Sequence, residues 1–451
     1  MANNEMSGPS RRKMLVMAWP IILANMATPL LGLTDTAVIG NIGSTVDLGA
    51  IALGAAIFSF VYWTFGFLRM GTTGFVAQAD GAGDEMEIRS SLGRSLFLAG
   101  LIGVVILALQ APISWLLFPL FDASEAVDSE ARNYFFIRIW GAPAALATYS
   151  LMGLFIGLGK SRHLLVLQLL LNGLNIGLDI LLGGVLRWGV AGIAWGTVLS
   201  EWIVGLVSLG IALRMLKNRH RRQPEPTPFW SWERLRDSKR LLATIAANRD
   251  IFLRTLFLLI GFGWFTRQGA QFGDAVLAAN HILLQLVTFC AFFLDGFAFV
   301  TESLVGKAVG RRDLAGFDRA VRRSIELSGL TSLVIALLVA IPGAWVIEAL
   351  SDQSEVVGLA LDYRFLAAFY VFVSFPAYQF DGIFIGATKG REMRNASLIA
   401  LLIYLIAWWF LDGFGNAGLW AALTIYIVAR AVTLGVHIPS LRRSIASQPD
   451  D

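Results

Sequence analysis

The chain has 451 residues, 56% of them hydrophobic and 15% charged, with a mean hydropathy of +0.66 and a formal net charge of +4. Soluble domains carry about 25% charged residues, so a soluble globular protein is excluded, and the absence of ten-residue alternating strands excludes an outer-membrane barrel. The basic residues sit in short loops rather than on one surface, which argues against nucleic-acid binding, and the single Cys290 rules out a disulfide framework.

The N-terminus, MANNEMSGPSRRK, is short and polar and has no cleavage-site pattern, so the first apolar run reads as a retained helix. Twelve apolar segments follow, near 14–41, 48–79, 92–119, 131–158, 163–185, 190–215, 250–272, 276–309, 320–349, 359–388, 393–412 and 416–438. Each meets or exceeds the roughly 20 residues that cross a bilayer. The expected fold is therefore all-α and polytopic, with twelve transmembrane helices. Pro20 and Pro29 in the first segment, Pro143 in the fourth and Pro376 in the tenth are expected kinks.

One set of loops carries Arg11, Arg12 and Lys13, then Arg89 and Arg94, Lys160 and Arg162, Arg311 and Arg312, Lys389 and Arg391. The alternate loops carry Asp122, Glu125, Asp128 and Glu130, then Asp352 and Glu355. The positive-inside rule places both termini in the cytoplasm of a bacterial-type inner membrane. Residues 217–249 form the one long polar stretch. They read as a connector, within which WERLRDSKRLLATIA is a candidate amphipathic helix at the inner surface.

The two sides of that connector repeat. GLFIGLGKSR at 153–162 matches GIFIGATKGR at 382–391, and TTGFVAQADGAGD at 72–84 matches TESLVGKAVGRRD at 301–313, both at an offset of 229. Leu48 and Ala50 match Leu277 and Ala279 at the same offset. The expected organisation is an N-terminal six-helix lobe (1–216), a cytoplasmic linker (217–249) and a C-terminal six-helix lobe (250–451). Six being even, these are parallel repeats, an arrangement suited to alternating access. The charges are not duplicated: Asp35 maps onto Trp264, Arg69 onto Ala298, Gly66 onto Asp295 and Thr73 onto Glu302.

Asp35 is a lone carboxylate in an apolar run. An intramembrane acid is a functional-site hypothesis, with a helix-end Asp held by Thr34 and Thr36 as the plain alternative. Arg69 lies near mid-membrane and needs a carboxylate; Asp295 and Glu302, a helical repeat apart, are candidate partners. Asp381, one turn after Tyr378, is either a substrate or proton site or a satisfied core residue. The chain has 31 Phe and 14 Trp, suited to an aromatic cavity for flat organic cations.

The twelve helices, the 6+6 repeat, the Pro20-x14-Asp35 spacing, FGFLRMGTTGFVAQADGAGD and DGIFIGATKG together resemble the multidrug and toxic compound extrusion (MATE) family, in its DinF-like branch. That resemblance implies a cation-coupled antiporter. It implies that Asp35, Asn175, Asp179 and Thr197 form the proton- or sodium-coupling set, with Pro20 the bending residue of helix one. A C-lobe cation site known in another branch includes a seventh-helix glutamate, and this seventh segment has no acid in its middle. Asp35, Asp179 and Thr197 each lie roughly 9–10 Å below the outer boundary at 1.5 Å per residue, and Asn175 and Asp179 share a helix face. Depth alone leaves open that Asp179 is a loop-end residue.

The expected function is a proton-coupled exporter of amphipathic, cationic organic compounds, with sodium as the alternative ion at the same four residues. Arg69, Asp295, Glu302, Tyr378 and Asp381 form a possible substrate or second charge site. No cofactor other than the coupling ion and no enzymatic activity are expected, and the resemblance suggests a monomer. A lipid-intermediate flippase is the rival; it would line its cavity with several basic residues, and only Arg69, Arg254 and Arg267 stand out within the membrane. An intramembrane enzyme finds no support, because none of the four histidines has H-E-x-x-H spacing.

Overall fold

The structure is a computed structural model that describes residues 10–27, 29, 37–40, 43–121, 123–223 and 228–446. All regular structure among them is helical. The first segment contributes α1 (Arg11–Met26). The second is broken into α2 (Thr45–Thr64) and α3 (Phe67–Ala82) at Phe65 and Gly66, and the third is α4 (Glu85–Ala108) followed by a short α5 (Gln110–Leu117). The fourth is α6 (Glu125–Arg138) and α7 (Ala142–Gly157), separated by a 3-10 turn at Ile139–Gly141. Pro143 sits in the first turn of α7, where its missing N–H costs nothing, so the expected kink is a break.

Next come α8 (Ser161–Leu178), a π-helical segment (Asp179–Val185) and α9 (Gly189–His220). A short α10 (Trp232–Arg236) precedes α11 (Ser238–Gln271), which begins twelve residues before the expected seventh segment. The remaining helices are α12 (Asp274–Gly310), α13 (Leu314–Ala340), α14 (Gly343–Leu350), α15 (Ser354–Gly386), α16 (Gly390–Leu411), α17 (Gly415–Gly435) and α18 (Ile438–Ala446). Pro20 lies inside α1 and Pro376 inside α15. Each removes one intrahelical donor. Nine of the described helical stretches are long and apolar enough to cross a membrane. Bulky apolar side chains such as Trp115, Trp345 and Trp409, each about three-quarters exposed, suit a lipid-facing surface.

The chain forms two compact units, Leu23–Ile245 and Met1–Ile22 with Ala246–Asp451. Within the first, α3 packs on α7. A Cβ at Gly153 would lie 2.5 Å from the Arg69 carbonyl oxygen, and one at Gly157 would lie 2.9 Å from that of Thr73. Within the second, α12 packs on α15 in the same way. A Cβ at Gly382 would lie 2.6 Å from the Ala298 oxygen, and one at Gly386 would collide with that of Glu302. All four relations obey the offset of 229, so the duplicated G-x-F-I-G is a site of backbone contact between helices. Polar nodes accompany it. Thr72 donates to Ser95 at 2.5 Å and Ser95 bonds Ser150 at 2.7 Å. In the second unit Thr301 donates to Gln379 at 3.0 Å and Gln379 to Ser328 at 3.1 Å. The turns repeat as well: Asp84 and Asp313 cap α4 and α13 through Glu87 N–H and Gly316 N–H.

Most of the stretch read as a connector is docked inside the first unit. Arg234 reaches both carboxylate oxygens of Asp84 at 2.8 and 2.6 Å, Arg240 and Arg94 pair with Glu87, and Arg94 also donates to the Arg234 carbonyl at 3.0 Å. Leu235 lies against Gly93, and Phe229 covers the Arg89 guanidinium at 5.3 Å. Burial alone would raise the Asp84 carboxyl, but the Glu87 N–H and the Arg234 guanidinium outweigh it and hold it below the usual carboxylate range.

Two outcomes are expected. Gly382→Ala should lower the thermal midpoint, by about 1–3 kcal/mol of overpacking, whereas Gly210→Ala, with nothing within 4 Å of the added Cβ, should not; thermal unfolding in detergent compares them. A carboxylate with a depressed pKa stabilises the folded state above its unfolded pKa of about 3.9 and loses that contribution as pH falls through the lower folded value. Docking of 228–240 should therefore persist at neutral pH and weaken only in that acid range, as read by protection of these amides from hydrogen exchange.

Candidate functional site

Asp35 lies outside the described residues, and the three other residues of the expected coupling set converge in the first unit. Asn175 and Asp179 are fully buried and Thr197 is 2% exposed. The Asn175 amide donates to Thr197 Oγ1 at 3.0 Å, and that hydroxyl donates to the Ile193 carbonyl at 3.1 Å. The Asn175 side-chain oxygen is buried and accepts no hydrogen bond among the described residues. Asp179 is therefore part of the interior, not a loop end.

Backbone geometry explains the convergence. Asp179 opens the π-helical segment, whose wider turn is a common feature of functional sites. Gly192 and Gly196 lie on one face of α9 and allow it to approach: a Cβ at Gly192 would sit 2.6 Å from the Leu182 carbonyl carbon, and one at Gly196 would collide with the Asp179 carboxylate. Sequence reading did not single out Asn172. One turn before Ile176 on α8, its amide donates to the Ala27 carbonyl at 2.6 Å, just past the end of α1. That bond satisfies a carbonyl at the end of α1.

A second buried charge pair was also not anticipated. Arg138 on α6 and Glu201 on α9 are bidentate, with both contacts at 2.8 Å. The guanidinium lies 5.1 Å from the centre of the Phe58 ring and 5.5 Å from that of Tyr62. Gly141, in the turn between α6 and α7, leaves the room that Glu201 fills. The signal was present, because each is a lone charge in an apolar run, FFIRIWG and LSEWIVG.

The remaining candidates divide. Arg69 is 7% exposed on α3. Glu302 is 1% exposed, whereas Asp295 and Tyr378 are half-buried in the second unit. Asp381 is neither a free acid nor a tyrosine-held one: its Oδ2 accepts from Arg254 and, at 2.7 Å, from Arg430. Arg430, in the twelfth segment, escaped the sequence reading.

The family model described as MatE matches this chain twice, over residues 20–181 and again over 252–410. The chain belongs to the MatE family. It is 37% identical over 418 residues to the DNA damage-inducible protein F of Escherichia coli (strain K12), covering 93% of this chain and 90% of that protein. It is 27% identical to the probable multidrug resistance protein NorM of a Synechococcus strain, over 91% of this chain and 89% of that one. The fold matches a solved outward-facing multidrug resistance MATE family transporter of the MOP superfamily with a TM-score of 0.83 at 19% identity, covering 98% and 97% of the two chains. Membership places this chain in a family of multidrug efflux membrane transporters, not of enzymes.

Removing one partner of the Arg138–Glu201 pair should be costly. Arg138→Met strands a buried carboxylate and should lose about 3–5 kcal/mol of apparent stability, whereas Arg138→Met with Glu201→Leu should recover most of it. A thermal double-mutant cycle measures the coupling.

Proposed function

We propose that this MatE chain is a proton-driven antiporter that exports amphipathic, cationic organic compounds by alternating access, with both termini in the cytoplasm of a bacterial inner membrane. The observation that carries this reading is the burial of Asp179 against Gly196, beside the Asn175–Thr197 hydrogen bond. A carboxylate in that position is costly as an anion and is relieved by a proton. Asp35 is the second acid of the set by its place in the sequence. The Asn172 bond to the Ala27 carbonyl supports a mechanical link between this site and helix one, where Pro20 lacks the donor that would stiffen the helix.

Binding a proton changes the charge of the site and so biases one of two arrangements of α1; substrate binding biases the other. Each ligand moves the equilibrium only by its differential affinity for the two states. The multidrug names of the relatives support organic substrates, and the aromatic richness of the chain supports flat cations among them.

Sodium coupling is the second reading. It is favoured by the Asn175 side-chain oxygen, which is buried and takes no hydrogen bond among the described residues. With the Thr197 hydroxyl and the Asp179 carboxylate, it makes an all-oxygen set suited to a hard cation.

Proteoliposomes with an imposed pH gradient and no sodium, loaded with a fluorescent organic cation, test both. Wild type should transport, and Asp35→Asn and Asp179→Asn should not. Thr197→Val, which removes the hydroxyl that accepts from Asn175 and donates to Ile193, two bonds of about 0.5–1.5 kcal/mol each, should slow transport several-fold. Transport that requires added sodium reassigns the ion; undiminished proton-driven transport in both Asp→Asn variants overturns the N-lobe assignment.

A further inference from the structure

The second unit contains a buried charge cluster with more cation than anion. Arg254 on α11, Asp381 on α15 and Arg430 on α17 are 8%, 8% and 9% exposed. Both guanidiniums bond the same oxygen, Asp381 Oδ2. Two positive groups therefore face one negative group in the interior of a membrane lobe.

The donors are also in excess. A guanidinium presents a rigid fork of N–H groups, and among the described residues Arg254 and Arg430 each direct one nitrogen to Asp381 and make no other hydrogen bond. Arg254 Nε is buried with no acceptor. Two forks converging on a single carboxylate oxygen leave N–H groups free to bind a further multi-oxygen acceptor. Tyr426, one turn before Arg430 on α17, is oriented by its hydroxyl bond to the Phe257 carbonyl at 3.1 Å. It places one aromatic ring on the Arg430 face of α17.

Its depth suits an amphipathic ligand. Asp381 and Arg430 are each five residues from the ends of their helices, Gly386 and Gly435, or about 7–8 Å inside. This is the end of the lobe that carries Lys389 and Arg391.

We propose that the Arg254–Asp381–Arg430 cluster is a binding site for the anionic group, a carboxylate, sulfonate or phosphate, of an amphipathic aromatic compound. Asp381 is a counter-ion that holds the two forks in place and moderates their affinity. This site stands apart from the coupling reading: binding is measured without any gradient, so either reading can fail alone.

The test uses the full chain in nanodiscs of zwitterionic phosphatidylcholine and two dyes with the same xanthene core, anionic fluorescein and cationic rhodamine 6G, titrated by fluorescence anisotropy at neutral pH. Wild type should bind fluorescein. Arg254→Gln and Arg430→Gln should each weaken that binding by at least about tenfold, as expected for loss of a buried charged hydrogen-bond partner, and leave rhodamine 6G unaffected. Asp381→Asn, which leaves two guanidiniums with no counter-charge, should tighten fluorescein binding. A purely structural clamp predicts the opposite: thermal destabilisation in Asp381→Asn with no gain in anion affinity. That result, or unchanged fluorescein affinity in both Arg→Gln variants, overturns the proposal. If the Gln variants fail to fold, Arg254→Lys and Asp381→Asn carry the same test. Displacement of fluorescein when phosphatidylglycerol is included assigns the anionic group to a lipid head; no displacement assigns it to a soluble amphiphile.

Discussion

Helix backbones in this protein approach one another at glycine, and the rest of the structure depends on that approach. Between membrane helices there is little hydrophobic driving force, since lipid tails are as apolar as side chains, so close packing and hydrogen bonds carry association. Gly153 and Gly157 seat α7 on the carbonyls of α3, and Gly382 and Gly386 seat α15 on those of α12. Once these backbones touch, Thr72, Ser95 and Ser150 are close enough to bond, as are Thr301, Gln379 and Ser328. The same device acts in the candidate site, where Gly192 and Gly196 bring α9 onto the segment that begins with Asp179.

Against this duplicated scaffold the charges are handled in three ways. Arg138 and Glu201 neutralise each other in a bidentate pair walled by Phe58 and Tyr62. Arg254, Asp381 and Arg430 do not cancel. Asp179 is enclosed where α9 approaches at Gly196, next to the Asn175–Thr197 hydrogen bond. Buried ions are tolerated only when paired, protonated or liganded, so these are three different chemical situations. The first reads as architecture, and the other two carry the proposals for the coupling ion and for an anionic group.

At the end of the first unit that bears the basic loops, the last turn of α9 and the polar stretch after it are fastened by arginines to acids at the end of α3 and the start of α4. Arg219 pairs with Asp80 and Glu85, Arg234 with Asp84, and Arg240 with Glu87. Charged residues at a helix N-terminus cap it and, at the same time, receive the returning chain. A segment whose composition reads as a connector is thereby part of a packed unit.

The sequence alone determined the class of the protein, its twelve segments, the 229-residue repeat and the family resemblance, because lipid imposes long apolar runs and a duplication leaves matched motifs at a fixed offset. It named Asn175, Asp179 and Thr197 through the family resemblance, whose motif residues fall on these positions. It did not reveal that Asp381 is shared by Arg254 and Arg430, that Arg138 meets Glu201, that Asn172 holds the Ala27 carbonyl, or that 228–240 is docked. Each of these joins distant parts of the chain, 49 to 153 positions apart. Sequence periodicity fixes which face of a helix a residue occupies, but the partner across that face depends on how closely two backbones approach, and only the tertiary packing decides that.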